Sequence, residues 1–141
     1  MVEDAKASVW VPATAEQIWR ALTEPDLVKQ YFFGTTLETD WKVGSRIRYS
    51  GEFDGKAYED TGEVLEYTEP RRLVTSFFSP SSGKPDVPEN YQRVEYAIEP
   101  ADGGCTVTIT QDNNATDEAA EHASGNWRMV LTGLAEVAPR V

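Results

Sequence analysis

Residues 114–139, NATDEAAEHASGNWRMVLTGLAEVAP, decide how the rest of the chain has to fold. Ala119, Ala120, Ala123, Trp127, Val130, Leu131, Leu134 and Val137 recur at helical spacings and fall on one apolar stripe. Thr116 or Asn114 caps its start, and Pro139 ends it. At 1.5 Å per residue, about 23 residues make a rod of roughly 34 Å, long enough to cross a whole sheet. A helix with one dry face needs a layer to lie against.

The preceding residues supply that layer. From Thr35 to Gln111 the apolar period is two. Ile47 and Tyr49 alternate with Arg46 and Arg48, Leu73 and Phe77 flank Thr75 at the same parity, and Val94, Tyr96 and Ile98 alternate with Arg93, Glu95 and Ala97. Cys105, Val107 and Ile109 face one side, with Thr106, Thr108 and Thr110 on the other. One-sided alternation marks an antiparallel sheet with one wet face. A longer strand runs from about Tyr58 to Tyr67, and Glu69-Pro70-Arg71 is a tight connection. Residues 51–55 and 101–104 are turns. Ser79 to Asn90, with Pro80, Pro85 and Pro88, is a long loop.

Upstream, Ala7 to Val11 reads as a strand stopped by Pro12. Thr14 and Gln17 form a capping box for a short helix carrying Ile18, Trp19 and Leu22. Pro25 opens a second short helix with Leu27 and Val28, ending near Tyr31. The predicted order is one strand, two short helices, about six antiparallel strands and one long helix. This is an α+β chain, a single domain over residues 1–141, in which a curved sheet wraps around the C-terminal helix. The gap between them is the candidate binding site.

Thirteen Lys and Arg against 24 Asp and Glu give a net charge of −11, which repels phosphate backbones and anionic lipid. No nucleic-acid partner is expected. One cysteine, Cys105, makes neither an internal disulfide nor a thiolate zinc site. No apolar run approaches a membrane span, and the start of the chain shows no apolar core of a signal peptide. The expectation is a soluble, cytoplasmic domain without membrane insertion, cofactor or metal.

Several segments resemble the START-like (SRPBCC) superfamily, and within it the branch named for the activator of heat-shock protein 90 ATPase. They are residues 18–25 (Ile18, Trp19, Arg20, Ala21, Leu22, Thr23, Glu24, Pro25) followed by Tyr31-Phe32-Phe33, then Asp40 to Ser45 and Asp60 to Glu66, then Pro70 to Leu73, and finally Trp127, Leu131 and Leu134. The resemblance covers nearly the whole chain in order and implies the helix-grip fold and a place in stress response. It leaves function open, because the superfamily includes lipid carriers, hormone receptors, cyclases and co-chaperone domains. The eukaryotic activator carries a further N-terminal domain that engages the chaperone. These 141 residues have no room for it, so direct chaperone stimulation is not expected. Asn126 also stands where relatives often have glycine before the tryptophan.

Individual residues read as follows. Trp127 lies mid-helix on the stripe, as core packing first and as a pocket wall second. Gly125 within the helix marks a close approach, a bend or a late helix start. Tyr49, Phe77 and Tyr96 point inward by parity, with Thr75 and Gln111, and an inward phenol needs a partner. His122 sits among acids on the wet side, Arg46 and Arg48 face outward, and Asp60 and Glu66 are candidate cavity acids. No catalytic group is assembled. The leading reading is a small apolar ligand held by Tyr31, Phe32, Phe33, Tyr49, Phe77, Tyr96, Trp127 and Val130, with the 79–90 loop as a flap. The alternatives are a co-chaperone-like domain binding a chaperone or other protein partner, and a cyclase- or hydrolase-like enzyme using a polar cavity residue.

Overall fold

The computed structural model describes residues 2–141, and every side chain among them but that of Phe53. The elements are β1 (Ala5–Val11), α1 (Ala15–Thr23), α2 (Pro25–Tyr31), β2 (Thr36–Glu38), β3 (Arg46–Phe53), β4 (Lys56–Thr68), β5 (Arg72–Phe77), β6 (Gln92–Ala101), β7 (Gly104–Gln111) and α3 (Asp117–Val137). All seven strands form one sheet in the order β1-β7-β6-β5-β4-β3-β2, with every neighbouring pair antiparallel. The α3 helix lies across the concave face, with α1 and α2 beside it. This is the helix-grip α+β arrangement.

Local chemistry accounts for the boundaries. Thr14 caps α1 by accepting from the Gln17 backbone N–H, while the Gln17 side chain accepts from the Thr14 N–H. Pro25 sits in the first turn of α2. Thr116, not Asn114, caps α3, its hydroxyl accepting from the Ala119 N–H at 3.0 Å. The α-helix stops at Val137, two residues before Pro139.

Curvature comes from β4. Its register shifts between Val64 and Glu66, leaving Leu65 as an extra residue pushed outward. The half before the bulge pairs with β3 and the half after it with β5. Gly62 lies in the bend, where a Cβ would stand 1.9 Å from the Ser76 carbonyl oxygen, so only glycine lets β5 come that close.

The large core joins β1, β5, β6 and β7 to α1 and α3, and a smaller cluster of Val28, Leu37, Ile47 and Val64 fills the β2–β4 end. Trp41 and Tyr67 pack against both. Their rings are 5.9 Å apart, and Trp19 meets Tyr67 edge-on at 5.0 Å while its indole N–H donates to the Tyr67 hydroxyl at 3.1 Å. Trp10, on the outer face, is 47 % exposed, and its indole N–H donates to the Ala101 carbonyl at 2.8 Å, tying β1 to the β6–β7 turn.

The glycine that matters in α3 is Gly133, which the sequence reading passed over. A Cβ there would lie 2.5 Å from the Tyr31 Cβ, so its absence lets α3 close on α2. At Gly125 the nearest atom is an Arg128 guanidinium nitrogen at 3.7 Å, and α3 already begins eight residues earlier, so neither a close approach nor a late start explains it. Gly133→Ala should therefore destabilise by about 1–3 kcal/mol through overpacking. Gly125→Ala should stabilise by about 0.5–1 kcal/mol through helix propensity. Urea unfolding of the two variants beside the parent checks the opposite signs.

Candidate functional site

The concave face forms a trough running along the strands. Its residues by parity are Tyr49 on β3, Asp60 on β4, Leu73, Thr75 and Phe77 on β5, Gln92, Val94 and Tyr96 on β6, and Ile109 and Gln111 on β7. The stripe of α3 fills this trough unevenly. Its second half presents Val130, Leu131 and Leu134, all buried, whereas its first half presents Ala119, Ala120 and Ala123. Small side chains leave space at one end and large ones close the other.

At the filled end a space of about 20 Å³ remains, lined by Leu22, Val28, Tyr31, Phe32, Leu37, Trp41, Tyr49, Leu73, Thr75, Tyr96 and Val130. It does not admit an apolar ligand of ordinary size without movement of its walls. Three phenols reach this region. The Tyr31 hydroxyl donates to the Ala21 carbonyl at 2.6 Å. Burial pushes Tyr49 up to about 12, against the pull of a hydrogen bond with Thr75. Burial also raises Tyr96 well above its ordinary value, reinforced by the neighbouring Tyr49 and Tyr31, and raises Tyr31 as well.

At the open end lies a cleft of about 260 Å³ between α3, the strand ends and the 79–90 segment. Phe77, Phe78, Ala119 and Ala123 supply apolar walls, and Gln92, Gln111, Asn113 and Asn114 supply amides. The amides are chained. Gln111 Nε2 donates to Asn114 Oδ1 at 3.1 Å, Gln92 Nε2 donates to the same oxygen at 3.3 Å, and Asn114 Nδ2 returns to the Gln111 carbonyl at 3.0 Å. Asn113 Nδ2 donates to the carbonyls of Glu89 and Tyr91, pinning the end of the loop. Tyr91 stacks on Phe78 at 5.2 Å and its hydroxyl donates to Asp86. The loop is thus tied down over the cleft, with Ser79, Ser82 and Lys84 in its wall.

Trp127 stands between the two spaces. Its ring meets Tyr96 at 6.0 Å and Phe32 at 5.7 Å, and its indole N–H donates to Gln111 Oε1 at 3.0 Å. Phe77 lines the open cleft while its ring packs on Tyr49 at 5.8 Å.

Of the eight residues expected around a ligand, Tyr31, Phe32, Tyr49, Tyr96 and Val130 line the inner space, Phe77 the outer cleft, and Trp127 the boundary. Phe33 joins neither. The chain leaves α2 at Phe32 and turns through positive φ at Phe33 and Gly34, which leaves Phe33 55 % exposed. Asp60 is on the concave face, half-buried, its carboxyl raised by burial and held down by a hydrogen bond with Ser79. Glu66, beyond the bulge, instead pairs with Arg72 at 3.7 Å on the outer side. Cys105 is buried and His122 exposed. Gln92, Asn113, Asn114, Phe78 and the alanines of α3 were missed as cleft residues. Two signals pointed to them: Gln92 continues the inward parity of Val94, and the stripe of α3 changes from alanine to large residues at Trp127.

The buried phenols set an alkaline limit on stability. Each has a folded value raised above 10, so its stabilising contribution is complete below pH 10 and is lost as pH rises through the folded value. Stability should hold flat to about pH 10 and fall steeply toward pH 12. Absorbance at phenolate wavelengths, followed with circular dichroism, should show Tyr31, Tyr49 and Tyr96 ionising only in the upper part of that range or with unfolding.

Comparison with known proteins agrees with the fold. The family model described as "Activator of Hsp90 ATPase homolog 1-like protein" matches residues 12–138. No curated protein sequence matches the chain. Among solved structures, ChR145 from Cytophaga hutchinsonii is 43 % identical over 96 % of this chain and 94 % of its own, with a TM-score of 0.82. The Aha1 dimer from Colwellia psychrerythraea is 20 % identical over 99 % and 97 %, TM-score 0.75, and Ara h 8.0201 is 12 % identical over the full length of both, TM-score 0.75. The last two show likeness of fold alone. A match across nine-tenths of the chain and a relative this similar over nearly its whole length place the protein in the Activator of Hsp90 ATPase homolog 1-like family of the START-like (SRPBCC) superfamily.

Proposed function

We propose that the domain binds a small, mostly apolar molecule in the cleft between the 79–90 loop and the first half of α3. The observation that carries this reading is the cleft of about 260 Å³, walled by Phe77, Phe78, Ala119 and Ala123 and closed at one end by a chain of side-chain amides. The lining joins five apolar residues to eight polar ones, so an apolar wall stands beside hydrogen-bonding groups that can orient a ligand, and the volume falls just under the roughly 300 Å³ at the small end of the range of ligand sites. The tethered loop supports it, because Asn113 pins the end of the segment that walls the cleft. The sequence reading placed the ligand deeper, around Tyr49 and Tyr96, where the side chains already meet. The family alone does not decide the matter, since one fold serves many functions.

The test uses N-phenyl-1-naphthylamine, a neutral probe whose emission rises in apolar surroundings. The parent should bind it saturably. Ala123→Phe, which fills the cleft from the helix side, should weaken binding at least tenfold, about 1.4 kcal/mol, with an unchanged far-ultraviolet spectrum. Equal affinity in the folded variant would remove the cleft from consideration. Native mass spectrometry of freshly purified protein should show extra mass that disappears on denaturation.

A further inference from the structure

Resting on the cleft reading, we propose that the inner space is its polar subsite, where Tyr96, with Tyr49 and Thr75, receives an uncharged oxygen, the hydroxyl or carbonyl of a ligand whose apolar body lies in the cleft. Tyr96 is only 7 % exposed, and its hydroxyl has no hydrogen-bond partner among the described residues. It is not a sealed orphan either, since the enclosed unpartnered side-chain atoms are Thr61 Oγ1 and Arg72 Nε, whereas Tyr96 lines the inner space. A phenol this deeply buried requires a partner, and the space beside it is where that partner sits.

The space is the right size for one polar group. At about 20 Å³ it exceeds the roughly 10–15 Å³ that a single water needs, and such a water needs two to four polar partners. Tyr96, Tyr49 and Thr75 supply three hydroxyls around it. One water satisfies Tyr96 in the free protein, and a ligand oxygen replaces it.

The chemistry selects neutral groups. The lining has no Lys or Arg, so a carboxylate or phosphate there would be buried without a counter-charge. Burial keeps the phenols protonated, and a neutral phenol both donates and accepts. A hydroxyl or a ketone therefore finds a matching group, while an anion does not.

The two spaces belong to one trough. Thr75 and Phe77 are one inward step apart on β5, about 7 Å, and Tyr96 and Gln92 are two steps apart on β6, about 13 Å. Phe77 and Trp127 stand at the join, each touching an inner phenol and an outer cleft residue or wall. Phe77 is half-buried at the cleft wall, and a rotation of its ring would open the way inward. A body about as long as naphthalene spans the single step from Phe77 to Thr75, about 7 Å.

The experiment measures naphthalene, 2-naphthol and 2-naphthoate by equilibrium dialysis against the parent, Tyr96→Phe and Tyr49→Phe. The parent should bind 2-naphthol at least fivefold tighter than naphthalene, and 2-naphthoate no tighter than naphthalene. Tyr96→Phe should bring 2-naphthol down to the naphthalene value and leave naphthalene unchanged, with Tyr49→Phe reducing the preference in part. If the parent binds naphthalene but shows no preference, or if Tyr96→Phe keeps the preference, the polar subsite is overturned while the cleft reading stands. If none of the three probes binds, the cleft reading fails and the subsite with it. Melting of Tyr96→Phe gives a ligand-free check: an unchanged or lower Tm fits a hydroxyl satisfied by water, and a raised Tm, as from removing an orphaned group, would overturn the assignment.

Discussion

The large side chains at the end of α3 press into the concave sheet, and the remaining features are arranged around that burial. Val130, Leu131 and Leu134 are each at most 2 % exposed, a contribution of roughly 1.5–3 kcal/mol apiece. For α3 to sit so low, α2 has to come within reach of it, which Gly133 permits by offering Tyr31 no side chain to strike. The sheet in turn has to curl toward the helix, which the bulge at Leu65 and the missing Cβ at Gly62 allow. Each of these devices is local, and each serves the same contact.

The same helix then determines where space is left. Its first turns present alanines, which are too small to reach the sheet, and the strand ends opposite them carry amides rather than aliphatic groups. The cleft is thus a consequence of side-chain size along one stripe. Trp127 marks the change, holding Gln111 on one side and Tyr96 on the other. Among the described residues the site gathers neutral hydrogen-bonding groups and aromatic rings, with Lys84 the one basic residue in the cleft wall. The acidic surface that gives the chain its net charge of −11 plays no part in that lining.

Much of the architecture was legible because it follows from short-range rules. The capping box at Thr14, Pro25 at the start of α2, the period-two strands and the three-to-four spacing of α3 each specify an element without reference to anything distant. Parity alone put Tyr49, Thr75, Phe77, Tyr96 and Gln111 on the concave face. The β2 strand, only three residues long, and the bulge in β4 had no such signal, because both depend on neighbours that pair with them.

The sequence by itself determined the order of elements, the handful of inward residues and the strongly acidic net charge, since periodicity, caps and charge are properties of the chain. Only the tertiary structure decided which inward residues touch and which leave a gap. Parity assigns a residue to a face but not to a depth, so it could not separate the inner phenols from the outer amides. Nor could it foresee that positive φ at Phe33 would turn that ring to solvent, or that Gly133 rather than Gly125 is the point of contact. Those outcomes are set by distances between elements far apart in the chain, and such distances exist only once the sheet has curled around the helix.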